Sequence, residues 1–377
     1  MASIDGKQAN DVALNDIKQW LALNQLPGLG NAAFCQLLAK FGAPDAIFSA
    51  SINQLREFVD DNIAQKIQAG INLDAITPTL DWLQKDNAHL VTFADNTYPK
   101  KLLEINNPPP VLYAIGNLHW LNHPAIAIVG SRSATPQGEK NAENFAASLC
   151  HTGLCVVSGM ALGIDGAAHR GALNANGATI AVVGTGLDIV YPARHRNLAH
   201  KIAERGLIIS EFPLGTPSKA QNFPRRNRLI SGLSLGCLVV EANIDSGSLI
   251  TARLSAEQGR EVFAIPGSIH SPVTKGCHQL IKQGAKLVET TQDILEELKN
   301  MLPSTSPYGL SSNLHMEETA TLEANTVLTC MGFDPINFET LRSLSGLTTE
   351  TLSSMLMVLE LESKITTLAG GKYQRLM

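Results

Sequence analysis

The sequence lacks the features that mark export, membranes and metals. Its opening, MASIDGKQAN, has neither the basic run nor the apolar segment of a secretory leader. No stretch approaches the ~18 consecutive apolar residues of a membrane span. The chain is therefore expected in the cytoplasm, with no membrane contact. Six cysteines (Cys35, Cys150, Cys155, Cys237, Cys277, Cys330) are scattered over 377 residues with no CxxC pair and no Cys/His spacing of a zinc site. Reduced, mostly buried thiols and no bound metal are expected.

Two nucleotide motifs are missing as well. No G-x-G-x-x-G follows the first strand of the central region, and the next strand ends Val157-Ser158-Gly159 without the acidic residue that holds a ribose. There is no G-x-x-x-x-G-K-[ST] either, which excludes a P-loop nucleoside triphosphatase. No cofactor is expected. The segment Gly232-Leu233-Ser234-Leu235-Gly236 matches G-x-S-x-G, but a helical pattern precedes it and a strand follows, the reverse of a hydrolase elbow.

What the chain does have is 44% hydrophobic residues, enough for an ordinary core across two or three domains. Its charge is unevenly spread. The net charge is -5, yet between Tyr191 and Ile230 the cations Arg194, Arg196, Lys201, Arg205, Lys219, Arg225, Arg226 and Arg228 face only Glu204 and Glu211. A basic middle between acidic ends points to a focused anion site, the alternative being a solvated charged face.

Residues 1–75 read as a helical domain in which Pro27-Gly28-Leu29-Gly30 resembles the turn of a helix-hairpin-helix, or simply joins two packed helices. A connecting stretch with Pro108-Pro109-Pro110 leads into the central domain of residues 76–300. From Ala125 short apolar strands at 126–129, 154–157, 179–183, 207–209, 237–240, 262–265 and 286–288 alternate with helices, which predicts an α/β, doubly wound, Rossmann-like parallel sheet. A linker at 301–322 and a winged-helix domain at 323–377 complete the chain, the wing being a hairpin about Gly370-Gly371.

Ligands of such sheets bind beyond the strands' carboxyl ends. Those ends carry Gly130-Ser131-Arg132, Ser158-Gly159, Gly184-Thr185-Gly186, Asp245-Ser246-Gly247-Ser248 and Pro266-Gly267-Ser268, and several glycine and serine loops on one rim suit an anion. Lys219 to Arg228, KAQNFPRRNR, sets four cations around Phe223. Pro224 biases Phe223 toward extended structure and stands before a helix start, so an extended basic loop presenting an aromatic is expected, which fits unpaired bases on a strand. The alternative places Phe223 in the core. Asp165 and His169, four apart at a helix start, are expected to form a hydrogen-bonded structural pair, the alternative being an acid/base couple.

Together IVGSR (128–132), VVSGMALGIDGAAHRGAL (156–173), GTGLDIVYPARHRNLA (184–199), SEFPLGTP (210–217), NFPRRNRLISGLS (222–234) and VVEANIDSGSLITARLSAEQGREVFAIPGS (239–268) resemble the DNA-processing protein A family, also called Smf. The resemblance implies a non-enzymatic protein that binds and shields incoming single-stranded DNA during natural transformation. It further implies help in loading the RecA recombinase, and a homodimer formed through the central domain. Carried over, Gly130, Ser131, Arg132, Ser158 and Gly159 would form the pocket, and Phe223 with its basic neighbours would clamp the strand. With the rim loops and the basic stretch, the candidate DNA-binding set adds Arg194, Lys219, Arg225, Arg228, Gly247 and Ser248. The sheet and its DSGSLITA loop also resemble the nucleotide phosphoribohydrolases, but that enzyme loop ends in a catalytic glutamate where this chain has Thr251-Ala252-Arg253.

Overall fold

The computed structural model describes residues 14–301, 322–362 and 364–376. The linker expected at 301–322 falls almost wholly outside them.

The central strands are β1 (Ala88–Thr92), β2 (Val111–Gly116), β3 (Ala125–Val129), β4 (Cys155–Ser158), β5 (Thr179–Val182), β6 (Leu207–Ser210), β7 (Gly236–Val239), β8 (Glu261–Ala264) and β9 (Lys286–Leu287). They form one sheet in the order β1-β2-β6-β5-β4-β3-β7-β8-β9. From β6 to β9 every pairing is parallel. Both faces are dry: Ala125, Ala127 and Val129 point into one core, Ile126 and Ile128 into the other. This burial is why the strands read as continuous apolar runs rather than alternating ones. On one face the helices Pro136–His151 and Ile164–Asn174 cross closely, because Ala142, Ala146, Ala167, Ala168 and Ala172 leave little between them. The other face carries Asn222–Leu233 and Gly247–Glu257.

The stretch after the three prolines is more than a connection. β2 pairs antiparallel with β1 and with β6, so the sheet gains a two-stranded antiparallel edge. Helices at 14–24, Asn31–Phe41, Pro44–Ser49, Ile52–Leu55, Asp61–Gln68 and Leu73–Trp82 pack on that edge, and the last of them runs through residue 75. Their apolar faces meet the buried Tyr113 ring, whose hydroxyl accepts from Asn24 Nδ2 (3.1 Å) and Gln25 Nε2 (3.2 Å).

The carboxyl-terminal residues form a winged helix. Three helices, Leu322–Met331, Phe338–Ser345 and Thr349–Leu361, pack against a sheet of β10 (Ile336–Asn337), β12 (Lys372–Arg375) and β11 (Ile365–Leu368), in that order. Gly370 and Gly371 turn the hairpin at φ of 85° and 69°, a region that favours glycine. Among the described residues no helix is long and apolar enough to cross a membrane.

Asp165 and His169 do not bond to each other. Asp165 accepts from the Gly159 and Ala161 amides (3.1 and 3.3 Å), while His169 Nδ1 lies 2.7 Å from Thr179 Oγ. That hydroxyl spends its proton on Val156 O, so Nδ1–H is the donor and the buried Nε2 is left without a partner. Burial, with His195 and Arg226 nearby, pushes His169 down to about 3. The unfolded chain then takes up a proton that the native state refuses, so this residue's contribution is full above pH 6.5 and is lost as pH falls. Between pH 6 and 4 it should cost up to about 1.4 kcal/mol per pH unit. Denaturant titrations of the wild type and His169→Asn across that range should show the slope reduced in the variant; identical slopes would contradict the assignment.

Candidate nucleic-acid interface

The chain runs outward from β3 through β4, β5 and β6, then returns to place β7 on the other side of β3. A doubly wound sheet opens a crevice at such a switch point. Here it is a cleft of about 850 Å³ between the loop after β3 and the loop before helix Gly247–Glu257. The first loop is held by its backbone: Ser131 N donates to Glu241 O (2.7 Å) and Ile164 N to Ser131 O (3.2 Å). Gly130 is required there, since a Cβ would lie 2.6 Å from Ile164 and 2.8 Å from Glu241 O. The loop thus fixes where Arg132 leaves the surface.

Arg132 is exposed, and its guanidinium lies over the Phe223 ring, 5.2 Å from the centroid. Phe223 is half-buried and packs against Tyr191 with centroids 5.7 Å apart and planes at 36°. Tyr191 is 45% exposed. A cation and two rings therefore form one lip of the cleft. On the opposite wall, helix Gly247–Glu257 presents its first amides with no acidic residue in the first turn, and Ser246 caps it. Nothing lies within 4 Å of where a Gly247 side chain would begin, which leaves room for a ligand to approach the backbone.

The floor is Arg226. It is only 4% exposed, donates to Val182 O (2.6 Å) and lies so close over Gly159 that a Cβ there would overlap the guanidinium. Burial lowers Arg226 to about 10 against the pull of Asp165, and burial raises Asp165 against the pull of Arg226. A cation at the lip, a cation at the floor and helix amides on the far wall make a cleft for an anionic ligand that also offers a flat face.

A family model for DNA recombination-mediator protein A matches residues 89–299, which include both cleft loops. The chain belongs to the DNA recombination-mediator protein A family. A DprA winged helix domain model matches residues 316–371. The chain is 42% identical over 306 residues to Protein Smf of Escherichia coli K12, covering 80% of this chain and 81% of that protein. It is 45% identical over 227 residues to DNA processing protein DprA of Streptococcus pneumoniae R6, covering 58% and 80%. Among solved structures, DNA processing protein A from S. pneumoniae superposes with a TM-score of 0.67 at 37% identity, covering 74% of this chain and 97% of that one. The Helicobacter pylori protein, described for its single-stranded DNA binding mode, gives 0.51 at 30% identity, covering 56% and 97%.

Not all residues expected from the sequence meet in the cleft of this family member. Gly130, Ser131, Arg132, Phe223, Gly247 and Ser248 line it. Arg194 and Lys219 are exposed in the segments that carry its lining residues Tyr191, Ser218 and Ala220. Ser158 is fully buried and donates to Ile128 O (2.6 Å), so it cannot reach a ligand. Gly159 serves Arg226. Lys219 to Arg228 is not an extended loop, because a helix begins at Asn222 and takes Pro224 into its first turn. Helical spacing then sends Phe223, Arg226, Asn227 and Ile230 to the cleft and turns Arg225 and Arg228 away. Both arginines instead meet the buried Glu211 carboxylate, Arg225 at 3.1 Å and Arg228 more closely, beside Asn31 Nδ2 at 3.1 Å. Sequence reasoning counted Arg226 among the basic neighbours of Phe223 but chose Arg225 and Arg228 for the site, where the period of the helix was the available signal, and it missed Tyr191.

This division predicts opposite costs for neighbouring arginines. Arg228→Ala leaves the Glu211 charge buried with its main partner gone and should lose ~3–5 kcal/mol of stability. Arg225→Ala, at a half-exposed position, should lose under ~1 kcal/mol. Urea titrations of the two variants check this, and equal losses would contradict it.

Proposed function

We propose that this chain binds single-stranded DNA in the switch-point cleft, shields it, and helps load RecA recombinase onto it during natural transformation. It acts as a homodimer joined through the central domain and performs no chemistry on the strand. The observation that carries the reading is the lip: the Arg132 guanidinium over the Phe223 ring, with Tyr191 beside it. A phosphate meets the cation and the Gly247 amide, and a base stacks on a ring face. The names of the relatives support DNA processing, and the family description supports a mediator of recombination.

The winged helix fits a different partner. Its third helix, Thr349–Leu361, carries Glu350 and Glu360, with Glu362 just beyond it paired to Lys364 (2.8 Å). The same helix exposes Met357 at 69% and Leu361 at 81%. A helix lying on phosphates needs the opposite charge balance, because the phosphate interaction supplies essentially all non-specific affinity. A protein contact suits this face better.

Titrations of an unstructured oligonucleotide against duplex at several salt concentrations should show preference for the single strand. The log affinity should fall by about 0.7 per phosphate neutralised for each unit of log salt. Arg132→Ala should weaken all sequences alike, and Phe223→Ala should lose ~1–3 kcal/mol with little change in melting. Equal affinity for duplex, or salt-independent binding, would overturn the reading. Incubation with AMP should release no free base.

Removing residues 302–377 should change single-strand affinity by less than tenfold, about 1.4 kcal/mol. A larger loss from a truncated protein that remains folded would place the DNA contact in the tail.

A further inference from the structure

In a doubly wound sheet the helix that follows the strand at the switch point usually offers its amino terminus to a phosphate. In this chain that helix is Pro136–His151, and its amino terminus is capped by Thr135, whose Oγ accepts from Gly138 N (2.9 Å) and which in turn is held by a carboxylate. Glu241, two residues past the end of β7, is buried and reaches the loop after the neighbouring strand β3, beside the cleft-lining Ser131. One carboxylate oxygen accepts from Thr135 N (2.9 Å) and the other from Thr135 Oγ (2.6 Å). The carboxylate lies against the first turn so closely that a side chain on Gly138 would overlap it. The same residue's carbonyl holds Ser131 N at 2.7 Å. Glu139, the other acidic group of that turn, is drawn off by Arg170 at 2.8 Å.

We propose that Glu241 is a built-in occupant of this fold's phosphate position, and the specificity residue that makes the crevice refuse free phosphate and mononucleotides. The carboxylate supplies the negative charge that the helix dipole favours, and its volume closes the space a phosphoryl group needs. An anionic ligand is thereby displaced toward Arg132 and the Gly247 amide, where a strand can continue past the cleft. The proposal rests on the crevice being an anion site, as argued above.

The experiment follows melting of the full chain in phosphate against chloride at matched ionic strength, with inorganic phosphate and then ADP as probes. Glu241→Ala should gain a phosphate-specific rise in Tm of about 2 °C at tenfold the dissociation constant. The rise should persist when Arg132→Ala is added. Glu241→Gln keeps the volume and an acceptor for Thr135, so it should gain nothing. If the alanine variant does not fold, Glu241→Ser, which keeps a hydroxyl beside Thr135, replaces it with the same expectation. The proposal is overturned if the shortened variant responds no more than the wild type, if its response disappears with Arg132, or if the glutamine variant responds equally. It is also overturned if the wild type already shows a response that survives Arg132→Ala. Oligonucleotide titration of the wild type tests the single-strand reading separately, so the two can fail independently.

Discussion

The burial of Arg226 is the constraint on which the cleft depends. Taking a guanidinium out of water costs several kcal/mol unless hydrogen bonds and an opposite charge offset it. Here the Val182 carbonyl takes one of its protons and Asp165 supplies the charge, itself held by the Gly159 and Ala161 amides. The arrangement leaves no room for a side chain at residue 159. It also fixes the rotation of helix Asn222–Leu233, because Arg226 can reach the carboxyl end of β5 from only one face. Once that face is set, Phe223 stands at the lip three residues earlier, against Tyr191 and under Arg132.

The same rotation decides what the other cations do. Arg225 and Arg228 emerge toward Glu211, and Asn31 of the amino-terminal helices joins them there. A basic stretch that looks in the sequence like one ligand surface is therefore split between a site and a structural junction. The junction fastens the helical layer to the antiparallel edge of the sheet, beside the buried Tyr98 and the partly buried Cys35, which lie within electrostatic reach of Arg228. The cleft is left with few cations, so what suits it to an anion is their placement rather than abundance of charge.

Much of this was legible in the sequence. Strands β3 to β8 are short and mostly apolar runs, several of them leading into glycine and serine loops, and their parallel pairing follows from the helices between them. β1 and β2 were hidden because Ala88–Thr92 follows a helix directly and Val111–Gly116 follows three prolines, so neither sits in the strand-loop-helix rhythm. The glycine loops of the rim were readable, whereas the roles of Ser158 and Gly159 were not: a serine whose proton goes to a neighbouring strand and a glycine that yields to an arginine look like ligand contacts in one dimension. The helix starts at Asn222, two residues before Pro224 rather than after it, and this earlier start is what sends Arg226 to the cleft and its neighbours Arg225 and Arg228 away from it. Tyr191 gave no signal, because its partner Phe223 lies thirty-two residues away.

The openness of the lip favours a polymer over a coenzyme. A small-molecule site encloses most of its ligand and places its polar groups inside. Here the groups suited to stacking and to phosphate are at the edge: Arg132 and Tyr191 are exposed, as are Arg194 and Lys219 in the flanking segments. A compact ligand could not use the edge and the floor together without leaving part of the cleft empty. A flexible strand can put one phosphate at Arg132, stack a base on the adjoining ring and carry on across the exposed cations. Interactions made at an edge also cost the protein little to preform, since exposed guanidinium groups stay hydrated in the free protein. The buried charge that organises the site and the exposed charge that meets the ligand are thus different residues, and one helix sets the geometry of both.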